Sequence, residues 1–121
     1  MSRLTLFLIA MALFVSTCTG GTDPLAANAG NDFTIKTSEQ PRFDGCASTG
    51  KIVNYKWTIL SAPEKMRADA GKVIREIEPN CAFTLDAEME VDEVGLWEIQ
   101  LEVRDGEGNM SVDTVIVAVI E

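Results

Sequence analysis

The sequence predicts an all-β fold, a small sandwich of antiparallel strands, on three observations. Two stretches, Phe43-Asp44-Gly45-Cys46-Ala47-Ser48 running on to Tyr55-Lys56-Trp57, and Gly95 to Gly106, alternate apolar and polar residues toward Gly-bearing turns. That is the pattern of half-buried strands. Asp105-Gly106-Glu107-Gly108-Asn109 supplies the Gly and Asn residues of a tight hairpin. The rest of the chain divides into short strand-like segments with no internal repeat.

In chain order, strands are expected near 33–37, 41–44, 51–60, 72–76, 81–85, 96–104 and 111–120. Seven is the count of a minimal immunoglobulin-like sandwich. In the third, Val53, Tyr55, Trp57 and Ile59 fall on one face by period two. In the sixth, Trp97, Ile99, Leu101 and Val103 do so while Glu98, Gln100 and Glu102 face water. The seventh gives Val115, Val117 and Val119 to one face, yet Ile116, Ala118 and Ile120 make its other face apolar as well. Residues 61–71 read as an irregular loop or one short helical turn from Glu64 to Ala70.

After Arg3, Leu4 to Val15 form an apolar run broken only by Thr5, too short to span a membrane and followed at once by small residues. Residues 1–17 therefore read as a secretory signal. The run ends in Val15-Ser16-Thr17-Cys18, which resembles a bacterial lipobox, with Thr17 where Gly, Ala or Ser is usual. The resemblance implies lipidation of Cys18; ordinary signal cleavage near this point is the alternative. Residues 18–31 are then a flexible tether and 32–121 the folded domain. Thr19 is not the Asp that retains lipoproteins in an inner membrane, so the same resemblance implies an outer-membrane address where the source has such a membrane.

The mature part is one domain with a single core. The whole chain carries a net charge of −9, which opposes binding to nucleic acid or to anionic headgroups. Membrane contact is expected through the lipid anchor only. With Cys18 taken by processing, Cys46 and Cys81 remain as a pair in an oxidising compartment and are expected to be bonded, closing a loop of about 35 residues. A metal site would need more soft or imidazole ligands, and the chain has no His.

The chain resembles a PKD domain, the polycystic-kidney-disease type of immunoglobulin-like module. Ala29-Gly30-Asn31-Asp32 matches the opening phrase of that family, Phe43 to Ser48 its Asp-Gly phrase, and Tyr55 to Trp57 its Tyr-x-Trp strand. Gly95 to Gly108 matches its closing strand and turn, before a Val-alternating last strand. The resemblance covers nearly all of residues 28–120. It departs at Trp57-Thr58-Ile59-Leu60-Ser61-Ala62-Pro63, where many members have an acidic Trp-Asp-Phe-Gly-Asp-Gly stretch. Where the family usually has Tyr near the start of the sixth strand, this chain has Trp97, whose indole N–H donates but cannot accept, so any bond to the adjacent corner is one-way.

Calcium is the one cofactor the resemblance raises, and no cofactor is favoured. The ion takes six to eight oxygen ligands, and only Asp44, Asp105 and Glu107 stand as weak candidates, with turn chemistry the stronger account of Asp44 and Asp105. The acidic run Asp86 to Glu93 reads as a solvated loop. Trp57 and Trp97 lie in phase with aliphatic residues and read as core rather than as sugar platforms. Without His, a free thiol, or a Ser-x-x-Lys or Gly-x-Ser-x-Gly phrase, the nucleophile-and-base constellations are missing. No enzyme is expected.

The expectation is therefore a non-catalytic, extracytoplasmic, lipid-anchored module for protein–protein interaction or adhesion, with protein or polysaccharide at the cell surface as partner. Ile116, Ala118 and Ile120 are its expected contact patch, on the argument that edge strands and exposed apolar faces recruit partners. A structural accessory subunit of an envelope or secreted complex, and a carbohydrate-binding module, are the alternatives.

Overall fold

A computed structural model of the chain describes residues 23–77, 80–85 and 93–121. Residues 1–17, expected as a signal, Cys18 and most of the acidic run lie outside the described residues. Seven strands follow in order: β1 (Phe33–Lys36), β2 (Arg42–Asp44), β3 (Ile52–Ser61), β4 (Val73–Ile77), β5 (Ala82–Thr84), β6 (Gly95–Asp105) and β7 (Met110–Ile120). A 3-10 helix over Glu64–Asp69 occupies the stretch between β3 and β4. They form two sheets, one of five strands in the order β1-β7-β6-β3-β4 and one of two, β2 and β5. All pairs are antiparallel except β1 with β7.

Period-two alternation places the core between the sheets. Trp97, Ile99, Leu101 and Val103 on β6 and Val115, Val117 and Val119 on β7 point inward and are buried, and Trp57 and Ile59 join them from β3. Phe43 and Phe83, directly paired across β2 and β5, close the core from the other side. Phe43 lies 5.4 Å and Phe83 6.0 Å from the Trp57 ring, centroid to centroid, within the range of favourable aromatic contact. Arg75 from β4 sets its guanidinium 4.8 Å from the Phe83 ring centroid, a cation–π contact that covers the exposed side of the cluster.

Two expectations are corrected here. Val53 does not share the inward face of Tyr55, Trp57 and Ile59: the β3–β6 register shifts between Ile52 and Asn54, and Val53 is 47% exposed while Ile52 packs on the core instead. A bulge adds one residue and turns the alternation over. The second concerns the tether, which the sequence extends to residue 31. From Leu25 onward the chain is part of the body, with Ala29 buried and Leu25 and Ala27 packed against the core.

The docking of this segment has a clear order. Ala26 and Thr49 form a bridge. The Ala27 amide donates to Ser111 Oγ at 2.9 Å, the Ala29 amide to Asp113 Oδ2 at 2.8 Å, and Asp32 Oδ1 accepts from the Ile116 amide at 2.9 Å. Beyond Asp32, β1 takes up full pairing with Val117 to Ile120. The segment thus starts on Thr49 and from Ala27 onward tracks β7, first through side chains and then through backbone.

Candidate functional site

The turn after β2 is built around Asp44 and Gly45. Asp44 Oδ1 accepts the Cys46 amide at 2.8 Å, and the Gly45 amide donates to the Cys81 carbonyl at 2.7 Å. A Cβ at Gly45 would lie 2.7 Å from Leu101 Cδ2 and 3.3 Å from Trp57 Cζ2, so only glycine lets the turn approach the core this closely. The Cys46–Cys81 disulfide sits directly beyond, with Cα atoms 4.9 Å apart. It joins neighbouring strands of the small sheet, not the two sheets to each other. Disulfides persist in oxidising compartments, which marks an extracytoplasmic domain.

The β6–β7 hairpin is organised by Asp105. Its Oδ1 accepts the Glu107 and Asn109 amides, and its Oδ2 accepts Asn109 Nδ2 at 2.8 Å. The Asn109 side chain outweighs the opposing desolvation and, with the Asn109 and Glu107 amides, holds the Asp105 carboxyl below the usual carboxylate range. Next to the hairpin is an open cleft of about 510 Å³, lined by Asp23, Lys51, Val53, Asp105 and Glu107 among others. Asp105 and Glu107 therefore share a cleft, but Asp44 does not line it, and both oxygens of Asp105 are committed to the turn. Among the described residues no three His, Cys, Asp or Glu side chains stand close enough to hold a metal ion.

Trp97 answers the loss of the corner hydroxyl in the one-way manner its chemistry allows: its Nε1–H donates to the Glu93 carbonyl at 3.0 Å. Both tryptophans are fully buried and offer no stacking platform. Trp57 Nε1 finds no acceptor among the described residues. Burial raises the Tyr55 phenol above its ordinary value. No helix among the described residues is long and apolar enough to cross a membrane.

The expected patch lies on the outer face of the large sheet, but not on an edge. β7 is bounded by β1 on one side and β6 on the other, so Ile116 and Ala118 are half-buried and only Ile120, at 46%, is open. Sequence reasoning missed Leu96. It pairs with Ala118 across β6 and β7 and is 65% exposed; its apolar character next to Gly95 was the available signal. Thr34 flanks Ala118 from β1. Further along the same face the pairs become Glu98 with Ile116, Gln100 with Thr114 and Glu102 with Val112, so polar side chains separate this patch from Val112 and Met110, which are exposed nearer the hairpin.

The two ends of the sandwich are thus unlike. The N-terminal segment enters at the hairpin end, where Asp23 and Asp105 share the cleft. The apolar patch lies at the other end: Leu96 stands nine positions along β6 from Asp105, roughly 30 Å at the rise of an extended strand.

Two layers of mainly antiparallel strands with these connections define an immunoglobulin-like β-sandwich. The structure is similar to the PKD domain of the KIAA 1837 protein, with a TM-score of 0.59 and 23% identity over 84% of this chain and 91% of that one. It is also similar to the fibronectin(III)-like modules of Clostridium thermocellum CbhA, with a TM-score of 0.52 and 17% identity over 80% of this chain and 96% of that one. No family model and no curated protein matches the chain.

Proposed function

We propose that the protein is a non-catalytic module, held at the cell envelope by lipid on Cys18, that binds a protein partner through the apolar end of its outer sheet face. The observation that carries this reading is the separation of the two ends. An anchor at Cys18 leads into the hairpin end through a few residues, and Leu96, Ile116, Ala118 and Ile120 are presented roughly 30 Å away at the rise of an extended strand. The net charge of −9 keeps the domain off an anionic surface. Contiguous exposed apolar side chains on a β-sheet face are the usual mark of a contact site.

The test has two arms. Cys18→Ala should move the protein from the membrane fraction to the soluble one; continued membrane association would contradict the anchor. Leu96→Glu should abolish the products formed by chemical crosslinking in native membranes while leaving thermal unfolding unchanged. A variant that keeps every crosslinked product would contradict the assignment of the face. A product of one fixed stoichiometry would point to an accessory subunit within the same reading.

A further inference from the structure

We infer that the Cys46–Cys81 disulfide is a redox latch on the N-terminal segment. In the oxidised form the turn that carries Cys46 holds residues 24–28 against the body, and reduction by a protein dithiol lets them go. The inference goes beyond the proposed function, and the latch itself does not depend on the anchor at Cys18.

The turn grips the segment at alternate residues. Thr49 Oγ1 donates to the Pro24 carbonyl at 2.7 Å, Ala26 and Thr49 exchange backbone hydrogen bonds at 3.1 and 2.9 Å, and the Asn28 amide donates to Ser48 Oγ at 2.8 Å. Gly50 lies so close that a Cβ there would stand 2.8 Å from Leu25 Cα. The gripping residues, Ser48 to Gly50, follow Cys46 almost at once. Two links hold the start of this turn at Cys81: the disulfide and the bond from the Gly45 amide to the Cys81 carbonyl. β2 has three residues, too few to fix the turn unaided. From Ala29 onward the hold is of another kind, since the Ala29 amide bonds Asp113 and β1 pairs with β7. Neither contact passes through the turn.

The two sulfur-bearing residues differ in access. Cys46 is exposed, whereas Cys81 is partly buried against the core, and exposed disulfides are the more readily reduced. A thiolate of the incoming dithiol attacks Cys46 Sγ, the S–S bond breaks, and Cys81 leaves as a thiolate that takes up a proton. The second thiol of the dithiol then attacks the mixed disulfide, closes its own disulfide and releases Cys46 as a thiol. Two electrons and two protons have passed to the protein. A neutral thiol suits the half-buried place of Cys81. Loss of the cross-link returns backbone freedom to residues 46–50, so the bonds at Ser48 and Thr49 open locally while the long ladder of β6 and β7 stays closed. On the lipid-anchored reading, release of residues 24–28 lengthens the reach from the anchor by up to about 17 Å at the rise of an extended chain.

Amide hydrogen exchange of the full chain in detergent, oxidised and after treatment with dithiothreitol, tests the inference, with thiol labelling and mass spectrometry to follow the reduction. Reduction should go to completion without denaturant. It should speed exchange at the Ala26, Asn28 and Thr49 amides on the order of tenfold or more, leave Ala29 and the β6–β7 ladder unchanged, and be reversed by reoxidation. Gly50→Ala, which sets a methyl against Leu25 with the disulfide intact, should speed the same amides, and reduction should then add little. Cys46→Ser/Cys81→Ser should match the reduced protein; should that variant fail to fold, the reduced wild-type chain supplies the comparison. Resistance to dithiothreitol in the absence of denaturant, unchanged exchange at Ala26, Asn28 and Thr49 on reduction, or equal acceleration in β6 and β7 overturns the inference. The same comparison on Cys18→Ala keeps the two readings apart: a lost anchor leaves the exchange difference in place, and a failed latch leaves membrane association in place.

Discussion

The two sheets are held by different means. The large sheet is built on a continuous ladder at its centre: β6 pairs with β7 from Gly95 to Arg104 without a register shift, and the inward residues of both strands are buried along their length. The small sheet has two strands of three residues each, and an isolated two-stranded unit is marginal in water at best. It persists because Phe43 and Phe83 pack on Trp57 and because a disulfide closes its end. A short sheet buries too little alone, and cross-links and aromatic anchors supply what ladder length does not.

The largest effect should come from breaking the long ladder's core. Trp97→Ala removes a fully buried side chain and is expected to cost about 3 to 5 kcal/mol, lowering the denaturant midpoint for both sheets together. Cys46→Ser should cost about 3 to 4 kcal/mol by chain entropy. Hydrogen exchange should then speed in β2 and β5 while β6 and β7 stay protected relative to them; an unchanged melting temperature under non-reducing conditions would mean the staple adds nothing. Gly45→Ala places a methyl against Leu101 and Trp57 and should cost about 1 to 3 kcal/mol by overpacking, read as a shift in midpoint.

The smallest effect belongs to the hairpin. Because folding depresses the Asp105 pKa, its contribution to stability is fully present above the unfolded value of about 4 and is lost as pH falls through the folded value. Asn109→Ala should raise the Asp105 pKa toward the ordinary range, followed by carboxyl NMR titration, and should flatten the acid limb of the stability curve.

Regular alternation made most of this fold legible in the sequence. β6 and β7 were readable nearly to their ends because their inward residues recur every second position without interruption. The direction of the Trp97 bond was readable because indole can only donate, but its partner, the Glu93 carbonyl, was not. Val53 was misread because a bulge is a pairing event between strands and leaves no mark in one strand's own pattern. Residues 25–31 were misread for a related reason: their small side chains look like linker, and the partners that hold them, Ser111 and Asp113, lie 84 residues away. The apolar patch on the outer face was partly legible. Its apolar residues on β7 were evident, but the interior position of β7 and the place of Leu96 beside it depend on which strands become neighbours.

The unlikeness of the two ends of the sandwich is the claim on which the functional reading turns. A photocrosslinking residue placed at position 96 and, in a separate variant, at position 107 tests it in native membranes. The account predicts discrete adducts from position 96 and none from position 107. Adducts from position 107 alone, or equally from both, would contradict it.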